Sequence, residues 1–172
     1  MREYVMAFWR TSACVIATAL FSPPLLHAQT QQTVFNAEDA GVQKPIPLPE
    51  DVLFLLKNDS YAADAFREQV PASCFSASLI QLGPRVDDLI VEAEGVLRGA
   101  NVNIFWVFLT TPHGHRLVLK SPAHSLTVEN PRTHEYRDIT LRSAPAGAVT
   151  ADNMRFNGKQ YTLHHQKTEA AP

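Results

Sequence analysis

Apolar residues along this chain change their spacing near Ala72. Before it, Val52, Leu53, Leu55 and Leu56 fall at the three-to-four-residue interval of an amphipathic helix. Pro49-Glu50-Asp51 makes a natural start, because proline suits the first helical position and acids favour the positive end of the helix dipole. Asn58-Asp59-Ser60 either ends that helix and caps a second one through Tyr61, Ala65 and Phe66, or lies within one continuous helix; Pro71 stops it in both cases. Beyond Ala72 the period is two, and the expected elements are strands: Phe75 to Leu82, Asp88 to Glu94, Ser125 to Glu129, Arg137 to Ser143, Val149 to Phe156 and Gln160 to His164. In Asp88 to Glu94 the alternation places Leu89, Val91 and Ala93 inward and Asp88, Glu92 and Glu94 outward, with Ile90 the exception.

The stretch from Asn101 to Lys120 organises the rest. Ile104 to Leu109 is an unbroken apolar run rich in aromatic and β-branched residues, the composition of a strand covered on both faces. Thr111-Pro112-His113-Gly114 then supplies a tight turn, proline pre-setting φ and glycine taking the left-handed position. Leu117 and Leu119 resume the inward face, with Arg116 and Lys120 toward water. Val102, Ile104, Trp106 and Phe108 cannot share a face with Phe105, Val107 and Leu109. One face can take the helix. The other must meet a second sheet, the wall of a curled sheet or another chain. The fold expected is therefore α+β: an N-terminal helical segment followed by a mostly antiparallel, curled β-meander, with a homodimer as the alternative cover.

Residues 1–28 read as an export signal. Arg2 and Arg10 are basic, Thr11 to Leu20 is a short apolar core, and Ala28 offers a small residue for cleavage. An uncleaved anchor is the alternative, but the apolar run falls short of the roughly 20 residues that span a bilayer. Residues 29–47 are expected to be a flexible leader, 48–165 a single domain, and 166–172 a frayed tail. Removing the signal takes 15 basic and 17 acidic residues to 13 and 16. That balance gives no basic footprint for nucleic acid or a membrane surface, so the expected location is periplasmic or secreted and the expected partner a protein.

Candidate chemistry is thin. Cys74 is the sole cysteine beyond the signal, so no internal disulfide is expected. It reads first as a small buried hydrophobe, and otherwise as a nucleophile, a metal ligand or a bridging thiol. His113, His115, His124, His134, His164 and His165 lack the spacing of a metal set, and neither metal nor cofactor is expected. His134-Glu135-Tyr136-Arg137-Asp138 is the densest polar cluster. It offers a base, an acid and an anion-holding arginine, without a nucleophile elbow or phosphate loop beside it.

Ala100-Asn101-Val102, Phe105-Trp106-Val107-Phe108, Pro112 to Leu119, Tyr136-Arg137-Asp138-Ile139 and Arg155 to Tyr161 together resemble a group of small exported bacterial proteins without an assigned activity. The resemblance spans Ala100 to Tyr161, implies a β-rich exported domain and carries no catalytic residues. Tyr136-Arg137-Asp138-Ile139 is also similar to the Tyr-x-Asp-Ile of calcium-binding propeller repeats, but Asn130-Pro131-Arg132-Thr133 lacks the acidic ligands those repeats place before it. The functional expectation is a non-catalytic domain that binds or inhibits a macromolecular partner, through His113, His115 and Arg116 flanking the hairpin turn. The alternative is a small hydrolase using Cys74, His134 and Asp138.

Overall fold

The computed structural model describes residues 33–39, 42–69, 71–85, 87–144 and 148–170; the expected export signal lies outside them. The architecture is mostly antiparallel β, in two sheets with two short helices. One sheet has the order β2-β3-β4-β5, from Phe75–Ile80, Asp88–Ala93, Asn103–Thr111 and Gly114–Ala123. The other has the order β1-β6-β7-β8-β9, from Val34–Asn36, Ser125–Thr133, Tyr136–Ser143, Ala148–Phe156 and Tyr161–Ala170.

The two-faced run at the centre explains the layering. In β4, which is flanked by β3 and β5, Trp106 and Phe108 pack with Val52 and Leu56 of helix α1 (Glu50–Lys57). Phe105, Val107 and Leu109 pack with Leu126, Val128, Ile139 and Phe156 of the second sheet. All five of these β4 side chains are buried. A second sheet covers the far face of β4, in place of the curled wall or second chain expected from the sequence. Asp59 accepts the N–H groups of Tyr61 and Ala62, which separates α1 from α2 (Ala62–Arg67).

The β4–β5 hairpin forms as expected, Thr111 pairing with Gly114 across Pro112 and His113. A bulge in β5 sets Val107 opposite Leu119 and Phe108 opposite Leu117, leaving Val118 as the extra residue. Leu117 therefore packs on the helix side while Val118 and Leu119 enter the core between the sheets. The two leucines do not share a face.

Three further expectations are corrected. Residues 29–47 are not wholly a flexible leader: β1 pairs with β6, Phe35 is fully buried, and Ile46 bridges to Ala77. Three residues are too short for a periodicity signal, and the polar sequence around them hid one anchoring aromatic. The tail is paired as far as Ala170, because β9 runs along β8 beyond its last large apolar residue, Leu163. In β3, Asp88 and Glu92 are buried, since the face read as outward is the one that meets the second sheet.

Candidate functional site

Hairpin β4–β5 carries the three residues expected to bind, and the structure sends them in different directions. The His115 main-chain N–H donates to Asp51 Oδ2 at 2.7 Å, and its Nδ1 lies 2.8 Å from the same oxygen. Asp51 lies in the first turn of α1, so this contact ties the hairpin to the helix layer. Burial works to raise the Asp51 carboxyl, but the His115 N–H and imidazole and the Val52 N–H outweigh it and hold the group below its ordinary range. Arg116 reaches the other way, donating through Nη1 to the Lys159 carbonyl at 2.6 Å in the β8–β9 turn. His113 stays exposed at the tip, its N–H donating to Thr111 Oγ1. The three do not form one rim. Two of them brace the tip and one remains free.

Beside this tip lies an open cleft of about 210 Å³ between the β2–β3 loop, the hairpin and the start of β7. Arg85, Thr111, Pro112 and Tyr136 line it, with Gly83 and Asp88 deeper in. The Tyr136 ring packs so closely on Gly83 that a Cβ there would lie 2.5 Å from Cε1, which explains the glycine. Arg85 donates one Nη to the Thr110 carbonyl at 3.0 Å, orienting its guanidinium at the mouth. Asp88 accepts the N–H groups of Leu82, Gly83 and Thr110 and so joins the β2–β3 loop to β4. Burial raises its carboxyl despite those three donors. Behind it the buried Tyr161 hydroxyl donates to the Arg137 carbonyl at 2.7 Å. Burial, then the charges of Asp88 and Asp138, push that phenol above its ordinary range. The cleft thus combines the Tyr136 face, Pro84, Pro112 and an arginine on main chain that is already hydrogen-bonded. Sequence reasoning missed Arg85 and Tyr136 as neighbours of the tip; Gly83-Pro84 signalled only a loop.

The hydrolase trio is not brought together. Cys74 ends the short turn of helix just before β2, half-buried, its carbonyl accepting the Glu94 N–H. Arg137 pairs with Leu82, past the far end of β2, about 20 Å away along the six-residue strand. His134 lies in the β6–β7 turn with Nδ1 3.0 Å from the Phe156 carbonyl. Asp138 accepts from Arg155 Nε at 3.2 Å. Each group serves a local structural contact. Among the described residues no group of three or more His, Cys, Asp or Glu side chains could hold a metal ion.

Comparison with family models, curated proteins and solved structures finds no match for this chain.

Proposed function

We propose that this chain is an exported α+β domain that binds or inhibits a macromolecular partner by surface contact, without turnover. The contact surface is the β4–β5 tip together with the cleft beside it. One observation carries this reading: the tip is braced from both sides, by Asp51 on His115 and by the Lys159 carbonyl on Arg116, and it forms one wall of the cleft. A braced projection loses little conformational entropy on association, which favours recognition. The apolar run of β4 does not supply the surface, since both its faces are covered within the chain. Support for export comes from the basic and apolar pattern of residues 1–28 and from the resemblance over Ala100 to Tyr161.

The test is affinity capture from the periplasm of the native cell with immobilised wild-type protein, Arg85→Glu/His113→Glu and Cys74→Ala. A species retained by wild type and Cys74→Ala but lost by the double variant supports the reading. Equal retention by all three removes the tip and cleft as the contact surface.

A further inference from the structure

Glu92 stands on the face of β3 that meets the second sheet, beside Ile90 and opposite Phe105 of β4, both in the inter-sheet core. It is 1% exposed, and its Oε2 has no hydrogen-bond partner. Two residues on, Glu94 also has a buried carboxylate oxygen without a partner. The cation acting on both is Arg98, two of whose nitrogens are engaged elsewhere: Nε donates to the Ala37 carbonyl at 2.6 Å, and Nη2 donates to the same oxygen. Ala37 begins the turn that follows β1. Its own N–H donates to the His124 carbonyl at 2.7 Å. The strand itself pairs with β6 over only three residues. Arg98 therefore adds a contact to a short edge strand while one oxygen of each of two carboxylates it acts on has no partner.

We propose that Glu92 and Arg98 form a proton-controlled latch on β1. While Glu92 keeps its proton, Arg98 holds the Ala37 carbonyl. When Glu92 gives the proton up to solvent, Arg98 turns to the carboxylate, and β1 with the turn Ala37–Asp39 loosens from β6. The charged groups acting on Glu92 are Glu94 on its own strand, Arg98 beyond the turn at Gly95–Leu97, and Asp39 in the turn that would move. Its cross-strand neighbours Ser76 and Phe105 carry no charge. Burial, reinforced by Glu94 and Asp39 and opposed by Arg98, pushes the Glu92 carboxyl up to about 7. A solvated glutamate titrates near its ordinary value of 4.5. The opening equilibrium should then rise on the order of a hundredfold between pH 5 and pH 8.5. Opening bares the main-chain groups of Ser125–Thr127 that β1 now covers.

Hydrogen exchange of the folded protein at these two pH values, corrected for intrinsic rates, tests the latch. The reporters are the amides of Ala37 and Val128, which donate to His124 and Thr33, with the core amide of Val107 as reference. Expected is a loss of Ala37 and Val128 protection at pH 8.5 relative to Val107, absent in Glu92→Gln and present at both pH values in Arg98→Ala. Unchanged protection in the wild type, or the same pH response in Glu92→Gln, would overturn it. If Glu92→Gln fails to fold, carboxyl-detected titration of the wild type decides the matter. A Glu92 midpoint matching the exchange transition supports the latch, and a midpoint near 4.5 refutes it.

Discussion

Asp88 and Glu92 occupy the same face of β3, one at each end of the core between the sheets, and the fold treats them oppositely. Asp88 takes three main-chain N–H donors, whereas Glu92 has a buried oxygen with none. The first carboxylate organises the loop beside the cleft. The second leaves an unmet demand whose strength depends on pH.

That demand has a definite sign. The folded-state pKa of Glu92 lies above the ordinary glutamate value, so unfolding releases its proton between pH 4.5 and about 7. Its contribution to stability is intact below 4.5, falls through this window and is flat above it. The loss is about 3 kcal/mol, from 1.36 kcal/mol per unit. Urea midpoints at pH 5 and pH 8 should differ more in wild type than in Glu92→Gln, with the variant the more stable at pH 8. Equal pH dependence in both proteins would show that Glu92 is solvated in the native state.

Trp106 lies between its helix and sheet neighbours, with Tyr61 at a ring distance of 6.0 Å and Phe75 at 5.8 Å. Trp106→Ala should cost about 3–5 kcal/mol in chemical denaturation, the range for losing a large core aromatic. A loss below about 1 kcal/mol would match a surface position and contradict the packing.

Two turn glycines separate backbone strain from steric contact. Gly114 and Gly158 have φ of +103° and +93°, but a Cβ at Gly114 would lie 2.7 Å from Asp51 Oδ2 while one at Gly158 would meet nothing within 4 Å. Both alanine variants should lose about 1 kcal/mol through the backbone term. Gly114→Ala should lose more, and adding Asp51→Ala should shrink the difference between the two. If the losses are equal, the Asp51 contact does not brace the tip.

Cys74 is half-buried, and a Cβ at Gly95 would lie 3.6 Å from its Sγ, so the thiol has neighbours without being sealed. Thiol reagents should modify it more slowly in the native protein than in denaturant, and Cys74→Ala should fold with a modest loss. A covalent dimer that disappears with reductant would instead establish a bridging role.

Much of the layering was legible because Ile104 to Leu109 has too many apolar residues for one covered face, and Pro112-His113-Gly114 has turn chemistry. The identity of the second cover was not. It depends on β6 to β9 returning as a separate sheet, and long-range pairing leaves no local signal. Glu92 was misread for the same reason, since a period of two cannot say which face meets a second layer. At the hairpin tip, the sequence pointed to His113, His115 and Arg116, but strand alternation does not name the partners that claim His115 and Arg116. Asp51 lies 64 positions before His115, and Lys159 lies 43 after Arg116. Arg85 and Tyr136 meet at the cleft only because the β2–β3 loop packs against the start of β7.

Mapping the contact surface on the isotope-labelled domain is the most direct test of its proposed role. Amide shifts would be followed as a species retained by the immobilised wild-type protein is added, unlabelled, to the folded protein. The account predicts changes clustered at Gly83–Arg85, Thr110–His115 and Tyr136, with the exposed face of β9 silent. Changes confined to other surfaces, with the tip and cleft unaffected, would contradict it.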